Sequence, residues 1–304
     1  MKKFLFCVLA LAAYCTANAQ SIIDADDQRN PNDFYQKGIV VGKKAMPYPP
    51  VRESDVIWET VIWREIDMNE KFNQFFYFPI DEEKNTQGRT NLVNLIFHGV
   101  ERGDIPSYED DDMVKEYDVA EAMRNLMGSP RTSQIPVLNP DGTPAYDEET
   151  DEPLMRDTII NPSFDAPTAT KLRLKEKWYI DKQDSRQKVR IVGLAFDYLK
   201  NMEGEGGQTR QVPATSFWIP MDDMRVRQLL VNANAYDEYN DVVERSYDDI
   251  FIQRYFDSYI TRESNVYNRT IAGKDGYLVD DDAILESQRI EDKIFDIESD
   301  MWEY

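Results

Sequence analysis

From Lys171 to Leu199 the chain reads in steps of two, and that period demands a sheet. Leu172, Leu174, Trp178 and Ile180 mark one arm. The polar run Asp181–Gln187 interrupts it, and Val189, Ile191, Val192, Leu194, Phe196 and Tyr198 mark a second. Side chains of a strand point alternately to its two faces, so this spacing gives each arm one apolar face. Two such arms joined by a polar turn form an antiparallel hairpin. An apolar sheet face has to be covered by a second layer. Gly193, inside the second arm, implies a bulge or a close backbone approach.

Helices are expected to supply that layer. Ser246 and Asp249 form a capping-box variant at the head of Ser246–Arg269, and Ile252, Phe256, Tyr259 and Ile260 follow at helical steps, widened by Phe251 and Tyr255. The run ends in Arg262, Tyr267 and Arg269, with Arg254 before them. It reads either as a core helix with a solvated exit or as an arginine-and-tyrosine edge for a protein partner, both residue types being favoured at interfaces. In Glu53–Phe78, Ile57, Trp58, Val61, Ile62 and Ile66 predict a second helix after Ser54. A further cap follows at Asp67 and Glu70, ahead of the aromatic run Phe75–Phe78. Trp58 and Trp63 cannot share one helical face, so one is core and the other meets a second element or a partner.

Arg89–Gly103 predicts a helix capped by Thr90 and closed by Gly99 or Gly103, and Asp118–Gly128 repeats the scheme. Thr215–Ile219 reads as a strand and Asp222–Asn232 as a helix. In Asp281–Tyr304, Ala283, Ile290, Ile294, Ile297 and Met301 share one side, either packed on the chain's own domain or docked on another. The fold class expected is α+β: helices packed on a small antiparallel sheet, with an extended N-terminal arm and a C-terminal amphipathic helix.

The segments divide the chain. Lys2 and Lys3, the apolar run Phe4–Ala13 and Ala17-Asn18-Ala19 make residues 1–19 a secretory signal cleaved before Gln20. Tyr14 argues against lipidation at Cys15. Residues 20–52 are an arm without periodicity, held open by Pro47, Pro49 and Pro50. Residues 53–275 form the α+β domain, 129–170 a proline-rich insertion of loops and short hairpin strands, and 276–304 the acidic helix.

The chemistry on offer is sparse. Cys7 and Cys15 both lie in the signal, so the exported chain carries no thiolate for a disulfide, a nucleophile or a metal. The lone histidine, His98, sits in an apolar helical stretch and reads as structural, with no carboxylate or nucleophile placed for acid–base work. A formal net charge of −22 disfavours nucleic acid and anionic membrane surfaces. The acidic clusters Glu109–Asp112, Asp147–Glu152 and Asp280–Asp282 lack the ligand alternation of a calcium loop. Asp157-Thr158-Ile159 fits a loose O-glycosylation pattern. No catalytic residue, cofactor or metal site is assigned.

Three motifs together carry a resemblance. They are Trp58 through Trp63, Arg64, Ile66, Asp67 and Lys71; the pair Lys175–Trp178 and Arg190–Ala195; and Arg254–Ile260 continued by Glu263–Arg269. Over about residues 50–275 they resemble the GldN/PorN family of Bacteroidetes gliding-motility and type IX secretion proteins. The resemblance implies a non-enzymatic periplasmic subunit at the inner face of the outer membrane, with no membrane insertion of its own. It further implies a homo-oligomeric ring with an outer-membrane lipoprotein (GldK/PorK-like), contacting GldL- and GldM-like motor and shaft proteins. Candidate partner-binding residues are Trp58, Trp63, Arg64, Arg262, Tyr267 and Arg269. The alternatives are a secreted carboxylate-based hydrolase or a carbohydrate- or peptide-binding module. A cleft with two facing acids would favour the hydrolase, and an aromatic patch the scaffold.

Overall fold

The computed structural model describes residues 43–302, apart from 81–88, 129–130, 137–154, 161–163, 204–208, 238–239, 241, 268 and 273–275. The chain divides into two units, residues 1–43 and 44–304, and the fold below is that of the second. The expected signal, most of the arm, the glycine loop after Glu203 and much of the proline-rich insertion lie outside the described residues.

An antiparallel sheet forms the centre. Its main path runs β6 (Thr209–Thr215), β5 (Arg186–Glu203), β4 (Ala169–Asp181), β1 (Val56–Asp67) and β8 (Tyr259–Glu263), and β7 (Ile219–Pro220) pairs with β5. The expected hairpin is β4 (Ala169–Asp181) with β5 (Arg186–Glu203), both longer than their apolar alternation. Register slips between Lys175 and Glu176, beside Gly193. A Cβ on Gly193 would lie 3.2 Å from Trp218 and 3.3 Å from Met113, which is the close approach that position requires. The strand expected at Thr215–Ile219 resolves into β6 (Thr209–Thr215) and β7 (Ile219–Pro220). Within the insertion, β2 (Arg131–Pro136) and β3 (Met155–Ile160) form a separate two-stranded sheet.

Two expected helices are strands. Val56–Asp67 is β1, paired along its length with β4. Its β-branched and aromatic content suits a pleated surface, but Arg64 at an inward position broke the alternation and left helical spacing as the stronger pattern. In a strand Trp58 and Trp63 take opposite faces, which resolves their conflict without a helix. The C-terminal part of Ser246–Arg269 is likewise β8 (Tyr259–Glu263), paired with β1. The helix before it, Tyr247–Gln253, keeps its capping box but stops at Arg254, which is left-handed at φ 53° and ψ 41°. Ile252 and Tyr259, expected on an apolar face, are exposed, while Tyr247, Ile250 and Phe251 are core.

In chain order the helices are α1 (Leu92–Glu101), α2 (Val119–Met127), α3 (Met224–Asn232), α4 (Tyr247–Gln253) and α5 (Asp280–Trp302). Asn91, not Thr90, caps α1 by accepting from the Asn94 N–H. Asp118 stands at the head of α2 without a side-chain cap bond. Asp67 and Glu70 lead into a 3₁₀ turn over Lys71–Phe76 rather than an α-helix. α1 to α4 and the aromatic turn close over Ile66, Leu172, Leu174, Leu194 and Phe196 of the sheet. The expected stripe of α5 packs on its own domain: Ala283, Ile290 and Ile294 form a second core with Ile62 and Ile260. The fold is α+β, as the sequence predicts.

His98 departs from its expected setting. Phe97 and Val100 of α1 turn inward, but His98 is half-exposed, with Nδ1 3.2 Å from Glu101 Oε2. Its apolar neighbours belong to the other side of the helix.

Candidate interaction site

The central strands β4, β1 and β8 bring three side chains into one row. Lys175 and Arg262 stand directly opposite Trp63 on its two neighbouring strands. The Arg262 guanidinium lies 3.5 Å from the Trp63 ring centroid and the Lys175 ammonium 5.4 Å, a doubly cation-flanked indole. The acidic loop after Tyr108 closes over the row. Asp111 accepts from Trp63 Nε1 at 2.8 Å and from Arg262 Nη2 at 2.7 Å, while Lys175 donates to the Asp111 carbonyl at 2.7 Å. The expected partner contacts of Trp63 and Arg262 are thus occupied inside the domain. Arg262 Nε is buried without an acceptor among the described residues.

The opposite face of β1 carries a second charged node. Glu176 is fully buried and takes both Arg254 guanidinium nitrogens, at 2.7 and 3.2 Å, and Trp178 Nε1 at 2.9 Å. Arg64, 4 % exposed, places Nε 3.3 Å from the same carboxylate, close enough for Coulomb attraction although not aligned as a hydrogen bond. Its Nη2 reaches Glu291 on α5 at 2.7 Å. Arg64 therefore bridges the sheet and the C-terminal helix. The left-handed Arg254 costs on the order of 1–2 kcal/mol in backbone strain, which its bidentate bond to Glu176 can offset.

Elsewhere Trp58 is half-buried, opposite Ile180. Only Tyr267 and Arg269 lie in an open setting. Tyr267 is 72 % exposed beside Val266 at 99 %, and the Arg269 guanidinium stacks 4.5 Å from the Tyr267 ring and 5.2 Å from Tyr277. The six sequence candidates thus fall in different places: Trp63 and Arg262 together, Arg64 behind them, Trp58 further along β1, and Tyr267 with Arg269 in a surface loop.

Other parts of the structure were not singled out from sequence. Arg227 of α3 and Asp248 of α4, both buried, form a two-pronged pair at 3.0 and 2.8 Å, and Tyr48 stacks 4.3 Å from that guanidinium. Burial is the largest influence raising the Tyr48 phenol above its ordinary value. The larger omission is an aromatic groove of about 810 Å³, lined by Phe72, Phe75, Phe78, Tyr236 and Tyr255 with Lys71 and Arg245. The run Phe75–Phe78 was its legible half; Tyr236 and Arg245 come from a separate stretch and carry no motif. Among the described residues, the one carboxylate in the groove lining is Asp237. Among the described residues, no cluster of three or more His, Cys, Asp or Glu is placed to hold a metal ion, and no helix is long and apolar enough to cross a membrane.

No curated protein matches this chain. A family model described as gliding motility associated protein GldN matches residues 51–303. The match takes in β1, the β4–β5 hairpin and the capped α4, and extends beyond residue 275, where the sequence resemblance ends, through the whole of α5. With most of its length inside that match, the chain belongs to the GldN family of gliding-motility associated proteins.

Proposed function

We propose that this component of the gliding-motility and type IX secretion machinery is a non-enzymatic structural subunit. It is exported to the periplasm by its N-terminal signal and held at the inner face of the outer membrane in a homo-oligomeric ring with a GldK/PorK-like lipoprotein. In that position it meets GldL- and GldM-like motor and shaft proteins. The observation that carries this reading is the family match over residues 51–303. Two features of the molecule support it. Its charged nodes are spent on internal packing, and its aromatic groove has one carboxylate among the described lining residues, where two-carboxylate hydrolysis uses a facing pair. Tyr267 and Arg269 are the sequence candidates left accessible to a partner.

The test is membrane fractionation followed by affinity capture and mass spectrometry. The protein should co-purify with outer membranes, its mature N-terminus at Gln20 and without lipid, together with a lipoprotein in a fixed ratio. Recovery as a free monomer in the soluble fraction of wild-type cells would refute the reading, as would a diacylglyceryl group on Cys15 for the signal assignment.

A further inference from the structure

One row of the sheet is covered, residue by residue, by a single turn of the chain. The row crosses four strands: Gly193 of β5, Lys175 of β4, Trp63 of β1 and Arg262 of β8, each directly opposite the next. The strands slip register just beyond it, between Lys175 and Glu176 and between Trp63 and Arg64. Such bulges re-aim side chains and gather beside functional sites. The cover is the tip of the acidic loop. Met113 lies 3.3 Å from where a Cβ on Gly193 would stand, Asp112 lies 3.3 Å from the Lys175 ammonium, and Asp111 holds Trp63 and Arg262.

This cover is fixed at its base and incompletely seated at its tip. Tyr108 exchanges both backbone bonds with Trp218, at 2.8 and 2.9 Å, and Tyr117 donates to the Ser107 carbonyl at 2.8 Å. Among the described residues, no backbone–backbone bond joins residues 110–113 to the sheet. Met113 is held left-handed at φ 52°, which a residue with a Cβ disfavours. A single oxygen, Asp111 Oδ2, accepts from both Trp63 Nε1 and Arg262 Nη2. Nε, on the same edge of that guanidinium, is buried without an acceptor among the described residues. A carboxylate presented to both nitrogens makes the two-pronged bond that Asp111 does not. The charges of the row balance only while the tip is down. Lys175 and Arg262 face Asp111 and Asp112, neither cation has another carboxylate within ion-pair distance among the described residues, and Glu109 is taken by Lys115. Lifting the tip leaves two unpaired cations against an indole, a surface that calls for an acid.

We propose that the tip is an internal stand-in for an acidic segment of a partner protein, which displaces Asp111 and Asp112 and sets its own carboxylates on Arg262, Trp63 and Lys175. The group now seated there fixes the chemistry of the occupant. One incoming carboxylate takes Arg262 Nε and Nη2 together, a second faces Lys175, and Trp63 Nε1 donates to the first. The apparent affinity is the affinity of the open seat reduced by the fraction of molecules whose tip is lifted, so the tip sets how strongly a partner must bind. This contact is independent of the ring proposed above, since it specifies what a partner presents and not how many copies assemble.

The experiment is calorimetric titration of the purified protein with a capped synthetic peptide of alternating aspartate and glutamate, and with its asparagine–glutamine counterpart. The ionic strength is set to screen the chain's overall negative charge. Asp111→Asn removes the charged competitor and should bind the acidic peptide at least about tenfold tighter than wild type, the worth of one charge-assisted hydrogen bond. Adding Arg262→Lys keeps the charge but loses the fork, and should reverse that gain. The Trp63 indole N–H resonance, assigned by its loss in Trp63→Phe, should shift with the acidic peptide and stay in place with the neutral one. Melting curves show whether Asp111→Asn folds; if it does not, Met113→Ala, which loosens the tip and leaves every charge of the seat, replaces it with the same expected gain. Equal affinity in wild type and the loosened variant, a gain that survives Arg262→Lys, or a bound peptide that leaves the Trp63 resonance unmoved would each overturn the inference. So would the absence of any binding to the loosened variant, which would make the tip a fixed part of the fold. The fractionation result decides the assembly reading separately.

Discussion

Replacing Glu176 by Gln tests what holds the centre of the fold. The carboxylate is fully buried and balances Arg254 at 2.7 and 3.2 Å and Arg64 at 3.3 Å, with Trp178 Nε1 donating to it as well. Glutamine keeps the shape, but its NH₂ turns a donor toward groups that already donate, and two guanidinium charges lose their shared counterion. Removing one partner of a buried ion pair costs about 3–5 kcal/mol. Arg254 is partly exposed and can turn to solvent, whereas Arg64, with 4 % exposure, keeps only Glu291. The expected loss is therefore near the lower end, about 3 kcal/mol. At a urea m-value of about 3 kcal/mol/M, that moves the midpoint by about 1 M. Equilibrium urea unfolding followed by tryptophan fluorescence reads it directly, since Trp178 donates to the same carboxylate. Arg254→Met should lose less, because it removes one cation and also relieves a buried imbalance. A midpoint shift under about 0.3 M for Glu176→Gln, with the m-value unchanged, would refute the claim that this carboxylate anchors the node.

Arg262→Glu is expected to melt several degrees below wild type before any effect on assembly, since its guanidinium is held by Trp63 and Asp111; an unchanged melting curve would return Arg262 to the list of partner residues. Arg269→Glu and Tyr267→Ala should leave the melting curve in place, because both side chains are exposed, and should reduce capture of the proposed lipoprotein partner, the charge reversal more than the truncation; normal capture from both would remove this loop from the proposed interface. Partial burial of its hydroxyl end, reinforced by its bond to Glu65, pushes the Tyr259 phenol up to about 12, and burial alone does the same for Tyr198. The fold favours the neutral phenol, so this stabilisation is complete below about pH 10 and is lost as pH rises toward about 12. Tyr259→Phe should flatten the fall of melting temperature over that window, and an identical fall in both proteins would count against the assignment.

Some of this was legible in sequence because its physics is local. The period of two in β4 and β5 follows from backbone geometry, and it placed the hairpin and the tight spot at Gly193. The Ser246–Asp249 cap is made by residues three apart, and α5 shows its buried stripe by spacing alone. β1 was misread for a non-local reason. Arg64 occupies an inward position that sequence expects to be apolar, and it is tolerated there only because Glu176 of β4 and Glu291 of α5 neutralise it. The end of α4 was decided the same way. Arg254 turns left-handed to reach Glu176, 78 residues away in the chain, and the freed segment pairs with β1 as β8. Trp63 and Arg262 were singled out as candidate partner residues, but the contacts they make within the domain depend on strand register and on the loop that brings Asp111 over them. Only the Phe75–Phe78 half of the groove could be read, since Phe72, Phe75 and Phe78 meet Tyr236 and Arg245 only when the turn after β1 and the segment between α3 and α4 fold together. Sequence thus determined the elements whose stabilising contacts lie within a few residues. Buried charges and surfaces shared between distant segments were left to the tertiary structure, because their energies depend on partners that spacing along the chain does not encode.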